Sequence, residues 1–371
     1  MLFVLFATCL FTSLGCGPQP DAEFRLNTEG RDVSEISPRQ LREISKTSID
    51  WFGTPDVPKT PRGMPFEIES LETAAGPMGR NIDSGERQGL YRQYCAVCHG
   101  ISGDGAGPLA RTFDPHPRDF RLSIYKYTST IAGARALRED LRRTLQAGLP
   151  STGMPAFPAL ADEELDALVD YLIYFGIRGE TELALFEEIV DQDGLQRSTS
   201  EWQETVRDRA MSWSIAQWTL PASEPENYVL DVPKPPAVDL PEVLAASIAE
   251  GRELYLEDDA QCVSCHGEEG RGDGENIDLF DDWNVDKHGV RPQETARRAS
   301  QFQLPLQVLR PRDFRQGIFR GGDELEDLYR RVHAGIKGTP MPGVGFSQGN
   351  EGVLTDEEIW HLVHYIRSLA E

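Results

Sequence analysis

The sequence lacks an apolar run long enough to cross a membrane. Its conspicuous run, MLFVLFATCLFTSL, occupies residues 1–14 and gives way to a polar, Pro-rich stretch from Pro18 onward. A spanning helix needs about 20 apolar residues, whereas a shorter N-terminal run is typical of an export signal. We therefore predict a signal peptide at residues 1–15, with an uncleaved N-terminal anchor as the alternative. Either way, the remaining chain lies outside the cytoplasm.

Basic residues are also in short supply. The chain has 37 Lys and Arg against 61 Asp and Glu, a net charge of −24. Such a charge disfavours nucleic acid and anionic lipid surfaces as partners, but it permits steering toward a basic protein. Thirteen acidic residues lie between Glu250 and Asp286, where Arg252 and Arg271 are the only basic ones. This segment is either a solvated acidic face or a docking surface for a basic partner. Its GDGENID stretch lacks the spacing of an EF-hand calcium loop.

Cysteines are few, which leaves no spare pair for a structural disulfide. Of the six, Cys9 lies in the predicted signal peptide. Cys16 follows it in SLGCG, which resembles a bacterial lipoprotein cleavage site, and this resemblance makes Cys16 the lipid-bearing first residue of the mature chain. The other four form two CxxCH motifs, YCAVCHG and QCVSCHG, at Cys95–His99 and Cys262–His266. Those four need another explanation.

The chain repeats itself around these motifs. Four blocks recur in the same order, which indicates a duplicated domain. The pairs are ERQGLY with EGRELY, HPRDFRLSIYK with RPRDFRQGIFR, DLRRTLQAGLPSTGMP with DLYRRVHAGIKGTPMP, and LADEELDALVDYL with LTDEEIWHLVHYI. The second copy has a longer acidic insertion between its CxxCH and its PRDF.

Helical patterns dominate, and no alternating strand pattern of useful length occurs. In the closing block, apolar residues recur at i, i+3, i+4 and i+7 from Leu165 and from Ile359. Thr355 with Glu358 forms a predicted capping box, and Asp162 is the predicted cap in the first copy. We predict an extended tether at 16–82, repeat domains at 83–180 and 244–371, and a helical, Pro-rich connector at 181–243.

In the connector, four residues fall on one helical face: Trp202, Val206, Ala210 and Trp213. We interpret them as the apolar side of a helix packed on one or both domains. A dedicated partner surface is the alternative.

The CxxCH spacing places two thiols and an imidazole on the same side of a short helix. This arrangement suits a haem whose two vinyl groups are alkylated by the thiols while histidine Nε2 binds the iron. A zinc ribbon would need a matched second pair of ligands, and no other CxxC exists. A dithiol redox pair would need neither the histidine nor the glycine after it. We therefore predict two covalently bound haems.

At these residues the chain resembles class I c-type cytochromes, twice over. The resemblance covers YCAVCHGISGDGAGP with GMPAF in the first copy and QCVSCHGEEGRGDG with TPMPG in the second. It implies an all-α fold of two cytochrome c domains. It also implies that His99 and His266 are the proximal ligands and that Met154 and Met341 are the sixth ligands. A thioether suits low-spin iron, and methionine opposite histidine raises the potential. Rival ligands in the second copy are His288, His333, His361 and His364.

Residues around the ligands can be named as well. The resemblance gives Pro108 the role of accepting a hydrogen bond from His99 Nδ1 through its carbonyl. The repeated PRDFR blocks supply candidates for binding haem propionates: Arg118, Arg121, Lys126, Arg312, Arg315 and Arg320. The alternative is an ion pair inside the loop, Arg118 with Asp119.

The function that these predictions favour is single-electron transfer by an exported, lipid-anchored dihaem cytochrome. If His and Met close both irons, no position is left for a substrate. By analogy with the family, the partners are a quinol-oxidising complex or dehydrogenase and a terminal oxidase or other cytochrome. The alternatives are a dihaem enzyme, such as a cytochrome c peroxidase or thiosulfate-oxidising cytochrome, and a fixed subunit of a larger respiratory complex.

Overall fold

The computed structural model describes residues 22–28, 31–76, 89–191, 200–257, 259–276, 279–280, 304, 307–347 and 350–370. These residues are mainly helical, which confirms the predicted all-α class. The helices are α1 Pro38–Phe52, α2 Ile68–Ala74, α3 Leu90–Tyr94, α4 Ala96–His99, α5 Arg138–Ala147, α6 Asp162–Phe186, α7 Ser200–Ser223, α8 Pro225–Tyr228, α9 Pro241–Leu256, α10 Cys262–His266, α11 Leu325–Ala334 and α12 Asp356–Ser368. One small hairpin departs from the prediction, with Phe346–Ser347 (β1) antiparallel to Asn350–Glu351 (β2). Among the described helices, none is both long and apolar enough to span a membrane.

The first domain is built around α6. Leu165, Leu168, Val169 and Leu172 are buried, as their spacing predicts. The helix is capped differently from the prediction: Ala161 is the N-cap residue, and its N–H donates to the Glu164 carboxylate at 2.9 Å. Asp162 is the first helical residue, where its carboxylate still interacts favourably with the positive end of the helix dipole. Because α2, α7 and α1 all pack on it, α6 is buried on most sides.

The N-terminal segment is folded, so the predicted extended tether at 16–82 is wrong for its described residues. Ser37 and Gln40 form a capping box at the start of α1, with Pro38 in the first turn. Phe52 and Leu71 are fully buried in the core of the first domain, and Ile44 in a neighbouring cluster. The Pro and Gly residues that suggested an extended chain mark turns between α1 and α2.

A buried polar cluster fastens this segment to α6. The Glu182 carboxylate accepts from the Ser48 hydroxyl at 2.6 Å and from the Asn27 N–H at 2.8 Å. It also pairs with Arg178 at 2.8 Å, and both side chains are 0% exposed. Arg178 donates to the Arg25 carbonyl at 2.8 Å. Every charge in the cluster is thus paired, which is the condition for burying it.

The connector helix α7 packs on α6, as expected for the helical interpretation, but through a different face. Val206, Met211, Ser214 and Trp218 are buried, whereas Trp213 is 57% exposed. The predicted apolar face is therefore wrong at Trp213, and the Trp202 side chain lies outside the described residues. The buried face advances by five, three and four residues per step, which the four-residue pattern was too short to establish.

In the second domain, α9 crosses α12, which α11 also contacts. The predicted capping box of α12 is confirmed: the Glu358 N–H donates to the Thr355 hydroxyl, and the Thr355 N–H donates to the Glu358 carboxylate at 2.7 Å. Buried aromatic rings join the helices, with Tyr329 and Trp360 centroids 4.6 Å apart. At the closest approach, a Cβ added to Gly251 would collide with the backbone carbonyl of His361.

A Gly251→Ala variant is therefore expected to be less stable, even though alanine is a better helix former by about 1 kcal/mol. The new methyl must push α9 from α12, and such overpacking costs about 1–3 kcal/mol. Thermal unfolding of the second domain would measure the change. An Ala249→Ser variant, on the exposed side of α9, serves as the control. Equal or greater stability of Gly251→Ala would contradict the crossing.

Candidate haem sites

The first CxxCH motif lies at the end of two short helices. Cys95 is the N-cap of α4, and Gly100 ends it with a φ of 76°. A side chain at Gly100 would collide with the Asp104 carboxylate, so the turn requires glycine. The Tyr91 hydroxyl donates to the Gly100 carbonyl at 2.8 Å and thereby holds the turn in place. The residues of this turn therefore determine where the two thiols and the imidazole of the motif lie.

These groups line one cavity together with Met154. Its walls also include Arg118, Lys126 and, from the second domain, Arg320. The structure thus brings together Cys95, Cys98, His99 and Met154, which the sequence predicted from two separate motifs. His99 and Met154 are 55 positions apart in the chain. Among the described residues, Cys95, Cys98, Cys262 and Cys265 form no disulfide. Burial raises the pKa of Cys95 to about 12 and that of Cys262 to about 11. Thiols with a raised pKa in an apolar wall are poorly suited to holding a bare metal ion as thiolates.

The orientation of His99 is fixed from two sides. Its Nδ1 lies 3.0 Å from the Arg118 carbonyl, and its ring stacks on Phe120 with centroids 4.3 Å apart. A carbonyl only accepts, so Nδ1 carries the proton and Nε2 keeps its lone pair for a metal. Burial lowers the pKa of His99 to about 4, which keeps the ring neutral. The predicted contact with Pro108 is wrong: Pro108 is exposed, because the chain turns back at Gly107, whose N–H bonds the Cys98 carbonyl.

The second copy repeats these contacts. His266 Nδ1 lies 3.2 Å from the Arg312 carbonyl, and its ring stacks on Phe314 at 4.4 Å. The Tyr255 hydroxyl donates to the Gly267 carbonyl at 2.7 Å. Burial lowers the pKa of His266 as well. The stacking phenylalanine and the arginine carbonyl were missed from sequence, although both stand in the repeated PRDF block.

The two methionine loops also match. The Met154 N–H donates to the Thr152 hydroxyl at 3.1 Å, and the Met341 N–H donates to the Thr339 hydroxyl at 3.2 Å. In each loop the methionine carbonyl accepts from the residue two places after the preceding helix, Leu149 at 3.0 Å or Ile336 at 3.1 Å. Both methionines are partly buried. The same hydrogen bonds hold each thioether at the same place in its loop.

The candidate propionate partners divide into two groups. Arg121 is buried in an ion pair with Asp119 at 2.7 Å and also donates to the Leu26 carbonyl, so it is structural. Arg315 is half exposed and pairs with Glu269 at 2.8 Å. The predictions for these two as propionate partners are therefore wrong. In contrast, Arg118 has both terminal nitrogens buried without a hydrogen-bond partner in the described part of the chain.

That buried, unpartnered guanidinium shows that the cavity fits a haem. It needs an anion, and a haem brings carboxylates next to an apolar ring. Lys126 lines the same cavity. The predicted alternative, an Arg118–Asp119 pair, does not form: Asp119 pairs with Arg121 instead.

The rival histidines of the second copy have other neighbours. His361 and His364 each place Nδ1 2.7 Å from the Ser247 hydroxyl, at the α9–α12 contact. His333 is buried and stacks on Tyr329 at 5.7 Å. In the first copy, His116 lines the cavity, but its Nδ1 lies 3.1 Å from the Ala110 carbonyl. His288 and most of the acidic insertion lie outside the described residues.

Comparison with known proteins agrees with this geometry. The family model for cytochrome c oxidase, cbb3-type, subunit III matches residues 81–172, and the cytochrome c model matches residues 248–370. A solved structure, the Kuenenia stuttgartiensis reducing HAO-like protein complex, contains a chain 28% identical to this one, with a TM-score of 0.51. The match covers 76% of this chain and 94% of that one. No curated protein sequence matches. Two domains of the cytochrome c type thus stand in tandem, each with a covalently bound haem c, and the chain is a dihaem class I c-type cytochrome.

Proposed function

We propose that this protein carries single electrons between partner proteins, with one histidine and one methionine on each iron. The ligands are His99 with Met154 and His266 with Met341; the thioether bonds are made by Cys95, Cys98, Cys262 and Cys265. The observation that carries the proposal is the matching pair of methionine loops, each held by the same threonine contact. An iron closed on both sides has no position for a substrate.

The side chains around each site have distinct tasks. The Arg118 and Arg312 carbonyls keep the imidazole tautomer that leaves Nε2 available. Phe120 and Phe314 stack on the imidazoles and limit their rotation. Apolar walls keep water from the metal and thereby tune its potential. The bound haem supplies the one-electron iron couple, and the protein sets its potential.

Export and anchoring complete the proposal. Cytochrome c domains are typically extracytoplasmic. The apolar run at residues 1–14 and the SLGCG segment support a signal peptide and a lipid on Cys16. The proposed location is the periplasmic or other extracytoplasmic face of a membrane. The proposed partners are a quinol-oxidising complex or dehydrogenase and a terminal oxidase or other cytochrome.

A fixed place in a larger assembly is the second candidate. It is favoured by the likeness to a chain of an HAO-like protein complex, of which the match covers 94%. In this second candidate the haem chemistry is the same, but the protein stays bound in one complex and does not move between partners. Isolation from native membranes under mild detergent distinguishes the two, because a subunit remains with its complex while a carrier separates from it.

Spectroscopy of the purified dihaem protein tests the proposal against an enzyme. We expect the oxidised protein to show a methionine–iron charge-transfer band for both haems, and the reduced protein to bind carbon monoxide only slowly. A monohaem cytochrome c with a histidine and a methionine on its iron is a suitable control for a closed site. One high-spin iron, rapid carbon monoxide binding, or turnover of peroxide or thiosulfate would favour the dihaem enzyme instead.

A further inference from the structure

The two domains meet through equivalent residues of the repeat. Tyr127 and Gly321 directly follow the two aligned PRDFR blocks, and a Cβ at Gly321 would collide with the Tyr127 ring. Arg118 lies against Gly338 of the second methionine loop, where an added Cβ would be 2.9 Å from Nη2. The reciprocal contact joins Arg312 to Ser151 of the first methionine loop, with Nη1 3.1 Å from the hydroxyl. Because the Arg118–Gly338 contact has its counterpart in Arg312–Ser151, this part of the interface has an approximate local two-fold symmetry.

Cations without acidic partners collect at this interface. Arg118, Arg312, Arg320 and Lys337 are absent from the salt bridges among the described residues. Arg320 Nη2 donates to the Ser151 carbonyl at 3.0 Å, and Lys337 Nζ donates to the Ala134 carbonyl at 2.8 Å. All of the hydrogen-bond partners that the described residues offer them are neutral oxygens. Burial, and after it the proximity of Arg320, lowers the pKa of Arg312. In a chain of net charge −24, such a cluster indicates an anion that belongs between the domains.

The position of Arg320 indicates which haem site binds that anion. It belongs to the second domain, yet it lines the first cavity beside His99 and Met154. Within the described parts of the chain, its Nε is buried without a hydrogen-bond partner, as are both terminal nitrogens of Arg118. Two guanidinium groups, one from each domain, thus present unpartnered donors to the same haem cavity.

We propose that Arg320 is a cross-domain ligand of the first haem, binding its propionate carboxylates together with Arg118. The first haem site is then completed by the second domain, and the potential of the first haem depends on how the domains dock. This inference rests on the part of the proposed function that attaches a haem to Cys95, Cys98 and His99. It does not depend on the axial methionines, which the carbon monoxide experiment tests separately.

Redox titration of the full-length dihaem protein tests the proposal. Removing a positive charge beside a haem favours the oxidised iron, so Arg320→Gln should make reduction of one haem about tenfold less favourable, or 59 mV. The other haem should change much less. Arg118→Gln should shift the same haem, and the double variant should deviate from additivity, because both side chains hold the same carboxylates. Arg320→Lys, which keeps the charge, should restore most of the potential.

The matched control is Arg315→Gln, which removes an exposed arginine five residues away in the same domain. It should move neither potential. Haem content and circular dichroism establish that each variant is folded and fully loaded. The proposal is overturned if Arg320→Gln leaves both potentials unchanged, or shifts the haem that Arg118→Gln does not shift. Additive effects of the two arginines would also overturn a shared anion.

Discussion

A Met154→Leu variant is expected to keep both haems but to lose one of its two methionine–iron charge-transfer bands. Leucine has nearly the same volume as methionine, so the fold should lose less than about 1.5 kcal/mol of stability. It has no sulfur, however, and one iron is left open. We expect the reduced variant to bind carbon monoxide at one haem per chain. The potential of that haem should fall by roughly a tenth of a volt or more, within the range of about 0.8 V that axial ligands span.

Met341→Leu should give the same result at the other haem, since its loop has the same hydrogen bonds. Met211→Leu is the matched control, because Met211 is a buried methionine of α7 outside the cavity. It should leave spectrum and potentials unaltered. An unchanged charge-transfer band in Met154→Leu or Met341→Leu would identify a different sixth ligand, with His333 the first rival to test in the second domain.

A Glu182→Gln variant is expected to lose about 3–5 kcal/mol of stability in the first domain. It leaves the Arg178 guanidinium buried and without its counter-charge, and breaking a buried ion pair carries a cost of that size. Guanidinium unfolding of the holoprotein, followed by circular dichroism and haem absorbance, would measure the change. The midpoint should fall while the denaturant dependence stays constant.

Two further variants separate the charge from the packing. Asp166→Asn removes one of the two exposed partners of Arg142, and such a surface pair contributes little to stability. The double change Arg178→Met with Glu182→Leu removes both buried charges and should recover much of the loss. If Glu182→Gln were no worse than Asp166→Asn, the N-terminal segment would not be fastened as the structure has it.

The repeat made most of the site predictable. Each block recurs in order, so the cysteines, the histidines and the methionine loops could be located from the sequence alone. The histidine's carbonyl partner could not: Arg118 lies 19 residues beyond His99, and contact across that distance depends on how the intervening turns fold. The recurrence of Arg118 as Arg312 was the available signal. An arginine in a repeated motif, however, suggests a role for its guanidinium group and not for its backbone carbonyl.

The same limit explains the error at the N-terminus and the lack of any prediction for the interface between the domains. A capping box at Ser37 and Gln40 predicts a local helix start, yet the turns rich in Pro and Gly around it obscured the pattern. Burial of Arg178 against Glu182 depends on α6 meeting a segment more than 120 residues earlier in the chain. The reach of Arg320 into the other domain depends on docking, for which hydrophobic periodicity carries no information.

If Cys16 carries the lipid proposed above, the folded N-terminal segment limits how far the protein can move from the bilayer. Ala22 already bonds to Asp56, and the Arg25 N–H donates to the Ser102 hydroxyl in the loop after the first CxxCH, at 2.7 Å. With Cys16 carrying the lipid, as proposed, only residues 17–21 separate the acyl chains from this fixed point, a reach of at most about 20 Å. The cytochrome would stay close to the membrane surface, with its first haem domain nearest the bilayer. It would exchange electrons by sideways collision in two dimensions and not by excursions into the surrounding space.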